Sequence, residues 1–355
     1  ENLSDGSKNA VSAKKEPTMK RLKVGINGFG RIGRAFTRIA LLRDAFDIVA
    51  INTRKTPNDM MAYLLQHDSV YHKFNATVTE EKDGIKVNNN FIATLQNADI
   101  ETIPWNKYDV DIVVDATGAF NTTPDLMKHI KGSVKRVILT APSKDEETPH
   151  VVLGVNDDTF DWEKNQVISN ASCTTNCSAP MFKVINDNLK VISGFLTTAH
   201  AYTLTQSLLD DTASSIDKAR SATLNISPST TGAAKAVART IPDLKGKIDG
   251  MAIRVPVPTV SFTDISAVVE KPTTIEEVNN MFRRASEVDM KGFLDYSTAH
   301  MVSSDYIGSP YSCIFDANYT KVINGTFIKI FGWYDNEWGY STRLVDLVEK
   351  VGNYI

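Results

Sequence analysis

The sequence has few cysteines, little net charge of either sign and no long apolar run. Three cysteines in 355 residues cannot build a disulfide framework, and Cys173 and Cys177 have no second cluster beside them that would make a metal site. The 39 Lys and Arg residues nearly balance the 42 Asp and Glu residues, so the net charge of -3 gives no basic field that would attract nucleic acid. The apolar stretches, such as residues 110–114 and 134–139, are far shorter than the roughly 18 residues that span a bilayer.

These absences exclude several classes of protein. We expect no nucleic-acid partner, no membrane partner and no metal, and a small molecule is the more natural ligand. The few cysteines fit a reducing compartment, so the predicted location is cytoplasmic. Residues 1–18 have almost no apolar periodicity and are predicted to be a mobile tail. If this tail follows a cleaved transit peptide, an organelle lumen is the alternative location.

The length predicts two domains, because a single hydrophobic core stops growing near roughly 250 to 300 residues. An apolar strand at 22–26, a glycine-rich turn at 27–33, a helix at 34–42 and a strand at 48–51 form one βαβ unit. The same pattern continues with strands at 111–115, 136–140 and 151–154 and a helix near 125–130. Residues 19–172 are therefore predicted to form a doubly wound α/β domain of the Rossmann type.

After residue 173 the pattern changes to longer alternating strands, which are typical of an antiparallel sheet. A helix at 178–189 comes first, and another at 344–351 ends the chain. The predicted strands between them cover residues 192–202, 250–255, 263–269, 312–316 and 326–333. Residues 173–334 are therefore predicted to form a second, α+β domain with a mostly antiparallel sheet.

The glycine-rich turn has the spacing of a dinucleotide-binding site. Between a strand and a helix it matches the pattern G-x-G-x-x-G with Gly28, Phe29, Gly30, Arg31, Ile32 and Gly33. Small residues let the backbone approach a pyrophosphate at a helix N-terminus. The motif and its placement predict a nicotinamide dinucleotide as cofactor, and an ordinary glycine-rich turn is the alternative.

The end of the second predicted strand bears on the choice between NAD and NADP. In an NAD site an acidic side chain at this place usually holds the ribose hydroxyls. The sequence has Asn52, Thr53 and Arg54 instead, and a hydroxyl beside a guanidinium can contact a 2′-phosphate. We hypothesise that NADP is accepted, and a preference for it is the stronger form of that hypothesis. The alternative is a substituted loop that still binds NAD through the pyrophosphate.

Cys173 and His200 are the candidate catalytic residues. Cys173 lies between a predicted strand and helix, where the helix dipole and backbone N–H groups should lower the pKa of the thiol and make it a nucleophile. His200 ends a strand, where a histidine is more often structural; beside a thiol it can act as base, oxyanion donor and acceptor of the alcohol proton. We interpret Cys177 and Cys313 as core residues.

Six segments of the sequence, taken together, are more specific than any one motif. They are NGFGRIGR at 27–34, SCTTNC at 172–177, HAYT at 200–203, TGAAK at 231–235, RVPVP at 254–258 and WYDNEWGY at 333–340. In this order and spacing they resemble the phosphorylating glyceraldehyde-3-phosphate dehydrogenases. The resemblance runs from Lys20 to the C-terminus.

The resemblance implies a reaction. By the family's chemistry, Cys173 attacks the aldehyde of glyceraldehyde 3-phosphate to give a hemithioacetal, and a hydride then passes to the nicotinamide. Inorganic phosphate cleaves the resulting thioester to 1,3-bisphosphoglycerate, and His200 assists the proton transfers. The resemblance also implies a homotetramer, a catalytic role for the second domain, and a last segment, 335–355, that returns to complete the first domain.

The family's pattern also assigns binding residues. It places Thr203 and Arg254 at the substrate phosphate, with Thr205 and Arg220 nearby. Further assigned positions are Ser172, Thr174, Thr231 and Gly232 for inorganic phosphate, Asn336 and Tyr340 for the nicotinamide, and Thr117 and Thr140 for the cofactor cleft. Arg254 is also notable without the family, because a charge in the apolar run 251–257 needs a counter-charge that a ligand phosphate would supply.

The chain departs from the family's pattern at three further places. Asp211-Thr212 replaces Leu-Pro and Asp217-Lys218 replaces two arginines, in a loop that in the family crosses to a neighbouring subunit's cofactor. Asp211 would repel a 2′-phosphate, but Thr53-Arg54 lies directly at the ribose and weighs more. Tyr71-His72 replaces the usual His-Gly, and no function follows from the sequence for this pair.

Two other functions stay open. An erythrose-4-phosphate dehydrogenase would share Cys173 and His200 but would use water rather than phosphate to release its product. A binding or regulatory paralogue would keep the fold without activity. The intact set of Cys173, His200, Arg254 and Asn336 argues against the paralogue, because a protein without activity has no need for a thiol beside an imidazole.

Overall fold

The computed structural model describes residues 21–355, which form two sheets of eight strands each. The predicted tail at residues 1–18 lies outside the described residues. The first sheet is built from the N-terminal half and is largely parallel, and the second is built from the C-terminal half and is largely antiparallel, so the predicted fold class is confirmed. Within residues 21–355, no helix has the length and apolar character that a membrane crossing requires.

The N-terminal sheet is parallel except at one edge. Its strands are β1 Lys23–Asn27, β2 Asp47–Thr53, β3 Val78–Glu81, β4 Gly84–Val87, β5 Asn90–Gln96, β6 Ile112–Asp115, β7 Arg136–Leu139 and β8 Val167–Ser169. Their order is β3-β4-β5-β2-β1-β6-β7-β8, with antiparallel ladders only among β3, β4 and β5. The strand order reverses at β1, so the carboxyl ends of β1 and β6 open the crevice in which such sheets bind ligands.

Helices cover both sheets, and the last of them returns to the first sheet. They are α1 Arg31–Arg43, α2 Asn58–Gln66, α3 Thr123–Leu126, α4 Cys173–Leu189, α5 Ile216–Ala219, α6 Ala233–Thr240, α7 Ile275–Arg284 and α8 Trp338–Gly352. Phe36 and Ile39 of α1 share one core with Leu344 and Val348 of α8. Burying each such side chain contributes roughly 1.5 to 3 kcal/mol, which holds α8 on the N-terminal sheet.

The predicted starts of α1, α4 and α8 are wrong. α8 begins at Trp338 rather than at residue 344, and α1 and α4 begin nearer the site than predicted. α1 begins at Arg31 rather than at residue 34, so Gly33 lies inside the helix instead of in the turn. α4 begins at Cys173 rather than at residue 178. The first turns of α1 and α4 are rich in small or polar residues, so their apolar periodicity is weak. Ser172 caps α4, because its hydroxyl accepts a hydrogen bond from Thr175 N at 3.0 Å.

The strand predicted at residues 151–154 is also wrong. Two side chains take the backbone amides that a strand ladder would have used. Asn156 Oδ1 accepts from Val152 N at 2.9 Å, and Asp157 Oδ1 accepts from Gly154 N at 2.7 Å. Gly154 has a φ of 83°, which closes the turn. The segment is buried, which explains its apolar pattern, but it forms turns.

The C-terminal sheet lies beside α4. Its strands are β9 Val191–Ala201, β10 Ser227–Thr230, β11 Ile248–Val255, β12 Ser261–Val269, β13 Leu294–Ser297, β14 Cys313–Asp316, β15 Lys321–Ile323 and β16 Phe327–Tyr334. The order is β10-β11-β9-β12-β16-β14-β13, with β15 on β16. Two pairs, β9 with β11 and β13 with β14, are parallel. Phe182 and Ile185 of α4 pack in one core with Leu196, Ile265 and Ile330 of the sheet.

Candidate active site

Cys173 is the first residue of α4, directly after the capping residue Ser172. The residue before the cap, Ala171, has a φ of 54°, an uncommon conformation for a side chain with a Cβ. Its carbonyl accepts a hydrogen bond from the hydroxyl of Tyr340 at 3.0 Å. The cap and the tyrosine fix the backbone on the N-terminal side of the nucleophile.

His200 faces Cys173 from the carboxyl end of β9. Its Nε2 lies 3.4 Å from Cys173 Sγ, and the imidazole is only 6% exposed. On the other side of the ring, Nδ1 lies 2.7 Å from the carbonyl of Ala201. In the tautomer that donates from Nδ1 to this carbonyl, Nε2 presents a lone pair to the thiol. The geometry suits His200 as the base for Cys173.

Arg254 lies beside the pair. It is the register partner of His200 across the parallel ladder of β9 and β11. Its Nη1 donates to Ala201 O at 3.0 Å and lies 2.6 Å from His200 Nδ1. A guanidinium can only donate, so Arg254 competes with a proton on Nδ1 for the same lone pair, and the carbonyl of Ala201 can accept from either group. Neither partner is the counter-charge that the sequence predicted, and among residues 21–355 no carboxylate pairs with Arg254, so a ligand phosphate as counter-charge stays a prediction.

Burial controls the charges of this pair. Burial, helped by the charge of Arg254, lowers the pKa of His200 to about 3. Burial raises the pKa of the Cys173 thiol to about 11, against the opposing effects of Arg254 and of the Thr174 hydroxyl and backbone amides. The expected net lowering of the Cys173 pKa is therefore wrong, because desolvation outweighs the helix N-terminus. At neutral pH the pair rests as a neutral thiol and a neutral imidazole.

The side chains of the residues predicted for inorganic phosphate have different hydrogen-bond partners. Ser172 Oγ serves as the cap of α4, and Thr231 Oγ1 accepts from Ala233 N at 3.2 Å at the start of α6, where Gly232 is the capping residue. Thr174 Oγ1 is buried against the hydroxyl of Tyr334 at 2.9 Å. The two helix starts offer backbone amides, but the hydroxyl of Thr174 is already engaged.

The residues predicted for the substrate phosphate are more loosely held. The hydroxyls of Thr203 and Thr205 lie 2.9 Å apart in the loop after β9. Arg220 forms an exposed ion pair with Asp210 at 2.7 Å. Only Arg254 of this group directly contacts His200.

The glycine-rich turn lines a cleft of about 620 Å³ at the carboxyl end of the N-terminal sheet. Gly28 has a φ of 98°, and a Cβ there would lie 2.8 Å from the carbonyl of Ala116 on the neighbouring connection. A Cβ on Gly33 would overlap the carbonyl of Gly28, whereas one on Gly30 would meet no atom within 4 Å. The turn is therefore closely packed at its base and open at Gly30. A pyrophosphate fits such a cradle, because the backbone can approach it closely.

At the ribose end of this cleft, Asn52 and Thr53 are buried and Arg54 is exposed. Both polar atoms of the Asn52 side chain have partners inside the protein. Its Nδ2 donates to Asn27 Oδ1 at 2.8 Å and to Asn97 O at 3.0 Å, and its Oδ1 accepts from Asn97 N. Thr53 Oγ1 accepts from Thr56 N at 3.1 Å. Arg54 is exposed and lines the cleft. Of the three predicted residues, only Arg54 has a side chain without a partner among the described residues.

Among the residues predicted for the nicotinamide and the cofactor cleft, Asn336 is held by the strand β12. Ser261 donates to Asn336 Oδ1 at 3.1 Å and accepts from Ala201 N at 3.1 Å. Asn336 Nδ2 has no partner among residues 21–355, so it can donate to a carboxamide oxygen. Thr117 donates to Asp115 at 2.6 Å, and Thr140 continues the strand β7. Ser261 was not predicted, because nothing in an alternating strand distinguishes it from its neighbours.

Arg31, in the glycine-rich motif, has its side chain in a network of ion pairs. Its guanidinium pairs with Glu337 at 2.6 Å and with Asp68. Burial opposes the charge of Arg31, but the two carboxylates outweigh burial and raise its pKa. Arg31 therefore connects the glycine-rich turn to the start of α8. Ile32, beside it in α1, packs against the core of the N-terminal sheet.

A larger cleft lies elsewhere among the described residues. It has a volume of about 890 Å³, between α4, α7 and the loop at 154–158, and it contains none of the predicted site residues. Size alone therefore does not identify the site. The smaller cleft has the glycine-rich cradle, and the predicted catalytic pair, Cys173 and His200, lies outside the larger one.

Comparison with known proteins agrees with this geometry. Residues 22–123 match the family model of the glyceraldehyde 3-phosphate dehydrogenase NAD binding domain, and residues 172–336 match that of the C-terminal domain. The chain belongs to the glyceraldehyde 3-phosphate dehydrogenase family. It is an oxidoreductase with an N-terminal NAD-binding domain of that family.

Curated relatives extend over nearly the whole chain. Glyceraldehyde-3-phosphate dehydrogenase 2 of Streptomyces avermitilis is 48% identical over 335 residues, which cover 94% of this chain and 99% of the relative. Glyceraldehyde-3-phosphate dehydrogenase 2 of Bacillus subtilis is 45% identical and covers 93% of this chain and 97% of its own. The enzyme of Geobacillus stearothermophilus is 46% identical, with 94% and 98% covered.

Proposed function

We propose that this chain oxidises glyceraldehyde 3-phosphate and phosphorylates the product to 1,3-bisphosphoglycerate, with Cys173 as nucleophile and His200 as its base. The observation that carries the proposal is the 3.4 Å distance from Cys173 Sγ to His200 Nε2, beside the guanidinium of Arg254. Family membership supports the substrate, because the matching relatives are named as glyceraldehyde-3-phosphate dehydrogenases.

The first step is the attack of Cys173 on the aldehyde carbon. As the S–C bond forms, the thiol proton passes to His200 Nε2, which is neutral because its pKa is lowered to about 3. Since the resting thiol has a raised pKa, proton transfer accompanies attack instead of preceding it. The imidazolium then donates to the oxyanion and gives a hemithioacetal. The carbonyl of Ala201 stabilises the imidazolium through Nδ1.

Oxidation gives a thioester on Cys173. A bound nicotinamide would supply the hydride acceptor, and Asn336 Nδ2 would hold its carboxamide. His200 removes the hydroxyl proton as the hemithioacetal carbon is oxidised. Inorganic phosphate then attacks the thioester carbonyl, the C–S bond breaks, and the sulfur of Cys173 is free again.

Two anion sites serve the phosphates of this reaction. Arg254, with Thr203 and Thr205, binds the substrate phosphate, and Arg220 lies in the same loop region. The capped starts of α4 and α6, at Ser172 and at Thr231-Gly232, supply backbone amides to the attacking phosphate. Charge-assisted hydrogen bonds of this kind are about twice as strong as neutral ones.

The cofactor is NADP as well as NAD. The described residues that line the dinucleotide cleft include Arg34 and Arg54 and no carboxylate, which supports the binding of a 2′-phosphate. Thr53 adds a hydroxyl at the end of β2. Replacing Thr53 with Asp should raise the KM for NADP by about tenfold or more, because a carboxylate would repel the 2′-phosphate. An unchanged ratio of NADP to NAD efficiency in T53D would contradict this assignment.

The active assembly is a homotetramer. The loop after β9 exposes large apolar side chains, including Leu204 at 85% and Ile216 at 90%, and these support burial against another copy of the chain. Light scattering should give four times the mass of the chain, and a monomer would contradict the assembly. The proposed compartment is the cytoplasm, where a reducing environment keeps Cys173 a thiol.

Initial rates of nicotinamide reduction test the proposal directly. Glyceraldehyde 3-phosphate with inorganic phosphate should support turnover with either cofactor, and omitting phosphate should stop it. Turnover of erythrose 4-phosphate without phosphate would favour the alternative dehydrogenase. Absence of any turnover, together with no selective alkylation of Cys173, would favour a binding paralogue.

A further inference from the structure

Asp335 is a buried carboxylate between the last strand and the last helix. It is 1% exposed, and among residues 21–355 no cation pairs with it. Instead it accepts hydrogen bonds from backbone amides and hydroxyls. The donors are Tyr71 Oη at 2.8 Å, Thr259 Oγ1 at 3.1 Å, Gly308 N at 2.9 Å, Glu337 N at 3.0 Å and Trp338 N at 2.9 Å. A charge buried in this way depends on every one of its donors.

Tyr71 is the donor that comes from the N-terminal half of the chain. Its ring packs against Trp338, with centroids 4.9 Å apart, and the guanidinium of Arg31 lies 5.7 Å from its centroid. Asp68 fixes the backbone before it by accepting from Val70 N and from Tyr71 N. Burial, with the neighbouring Asp335 and Glu337, raises the pKa of Tyr71, so its hydroxyl stays a donor.

The segment 335–338 is therefore tied to the N-terminal half of the chain at two points, one in the loop after α2 and one at the glycine-rich motif. Tyr71 holds Asp335, and Arg31 holds Glu337 at 2.6 Å. Asp68 joins the two ties, since it pairs with Arg31 and caps Tyr71. Asn336 lies between the two tied residues, and its own side chain is fixed by Ser261 at 3.1 Å.

We propose that Tyr71 is a positioning residue that, through Asp335, holds Asn336 in the geometry that binds the nicotinamide end of the cofactor. This inference rests on the proposed role of Asn336. Four donors reach Asp335 Oδ1, and loss of the Tyr71 hydroxyl removes the one that comes from the N-terminal half of the chain. The segment then relaxes around Asp335, and the Asn336 amide loses its fixed direction. The change should therefore weaken cofactor binding and leave the reactivity of the Cys173 thiol unchanged.

Tyr71→Phe tests this with the smallest change, because it removes only the hydroxyl and keeps the ring between Trp338 and Arg31. Calorimetric titration of the free enzyme with NAD or NADP measures the dissociation constant without any aldehyde. We expect this constant to rise about fivefold, which is the net contribution of one ordinary intramolecular hydrogen bond. The KM for glyceraldehyde 3-phosphate and the rate of Cys173 alkylation without cofactor should change less than about twofold.

Two further variants separate the possible causes. Tyr63→Phe removes an exposed hydroxyl from α2 and should leave the cofactor affinity unchanged. In Asp335→Ala, which removes the acceptor of the Tyr71 hydroxyl, adding Tyr71→Phe should cost no further affinity, because the two act as one unit. A lowered melting temperature in Tyr71→Phe with unchanged cofactor affinity would overturn the proposal in favour of a structural role.

The role of Asn336 is tested separately. Asn336→Ala should weaken cofactor binding at least as much as Tyr71→Phe does. If Asn336→Ala leaves the affinity unchanged, the assigned nicotinamide contact is wrong, and the inference drawn from it is overturned. Since these titrations contain no aldehyde, they distinguish that failure from a wrong substrate.

Discussion

The thiol end and the ribose end of the proposed cofactor cleft are built in different ways. At the thiol end, His200 is 6% exposed and is held by Ala201 O, by Arg254 and by its contact with Cys173. At the ribose end, Arg54 is exposed, and its side chain has no partner among the described residues. The difference teaches that reacting groups are fixed before a ligand arrives. A group that selects a ligand stays free to meet it.

Removing the nucleophile should have the largest effect. Cys173→Ala leaves no sulfur to form the hemithioacetal, so turnover should fall by at least about 10⁴-fold. Calorimetric titration should still detect the cofactor, because the dinucleotide cleft lies at the other end. Cys313→Ala, which changes a buried thiol in β14, is the control and should keep its turnover. Residual activity of Cys173→Ala above about one per cent would show that another group attacks the aldehyde.

His200→Asn should have the next largest effect. Asparagine keeps a polar group of similar reach but accepts no proton, so kcat should fall about 10² to 10⁴-fold. Initial rates at saturating substrate measure this loss, and the dissociation constant of the cofactor should not change. An equal loss of kcat and of cofactor affinity would mean that His200 supports the cleft and not the chemistry.

Arg254→Leu tests the electrostatics of the thiol end through the pH dependence of Cys173 alkylation. The charge of Arg254 lowers the pKa of Cys173, so its removal should raise the pH midpoint of alkylation by iodoacetamide by about one unit. At neutral pH, below that midpoint, alkylation should then be about tenfold slower. The same change raises the pKa of His200, but burial, the larger cause, still keeps the imidazole neutral.

The control for this change is Arg284→Leu, which removes an exposed guanidinium from α7 and should leave the alkylation profile unchanged. A midpoint that moves down in Arg254→Leu would mean that a protonated His200 stabilises the thiolate more strongly than Arg254 does. The sign of the shift therefore decides which cation acts on the sulfur.

The sequence predicted the two sheets and the reacting pair because both leave local signals. Periodicity marks buried strands, and a glycine pattern marks a close backbone approach. The edge strands β3 and β4 and the helices α2, α6 and α7 were not predicted, because their apolar stripes are short or interrupted by polar residues. The strand predicted at residues 151–154 was wrong because the side chains of Asn156 and Asp157 accept from the backbone amides that a strand ladder would have used.

The rest of the site depends on distances that no local pattern encodes. Tyr71 and Asp335 meet across 264 positions of sequence, and Ser261 meets Asn336 across 75. The pKa of Cys173 was predicted to be lowered but is raised. The sequence shows the helix N-terminus, which lowers this pKa, but not the burial, which raises it. Long-range packing determines both these contacts and the pKa of Cys173, so neither could be predicted from the sequence.

The smallest expected effect is at the ribose end. Arg54→Ala removes an exposed charge, and exposed ion pairs contribute at most about 1 kcal/mol, so the KM for NADP should rise about fivefold. The KM for NAD should stay unchanged, because NAD lacks the 2′-phosphate. Lys55→Ala, at the neighbouring exposed position, is the matched control. An equal rise for both cofactors would mean that Arg54 acts on a part that they share, and selectivity would then depend on Thr53.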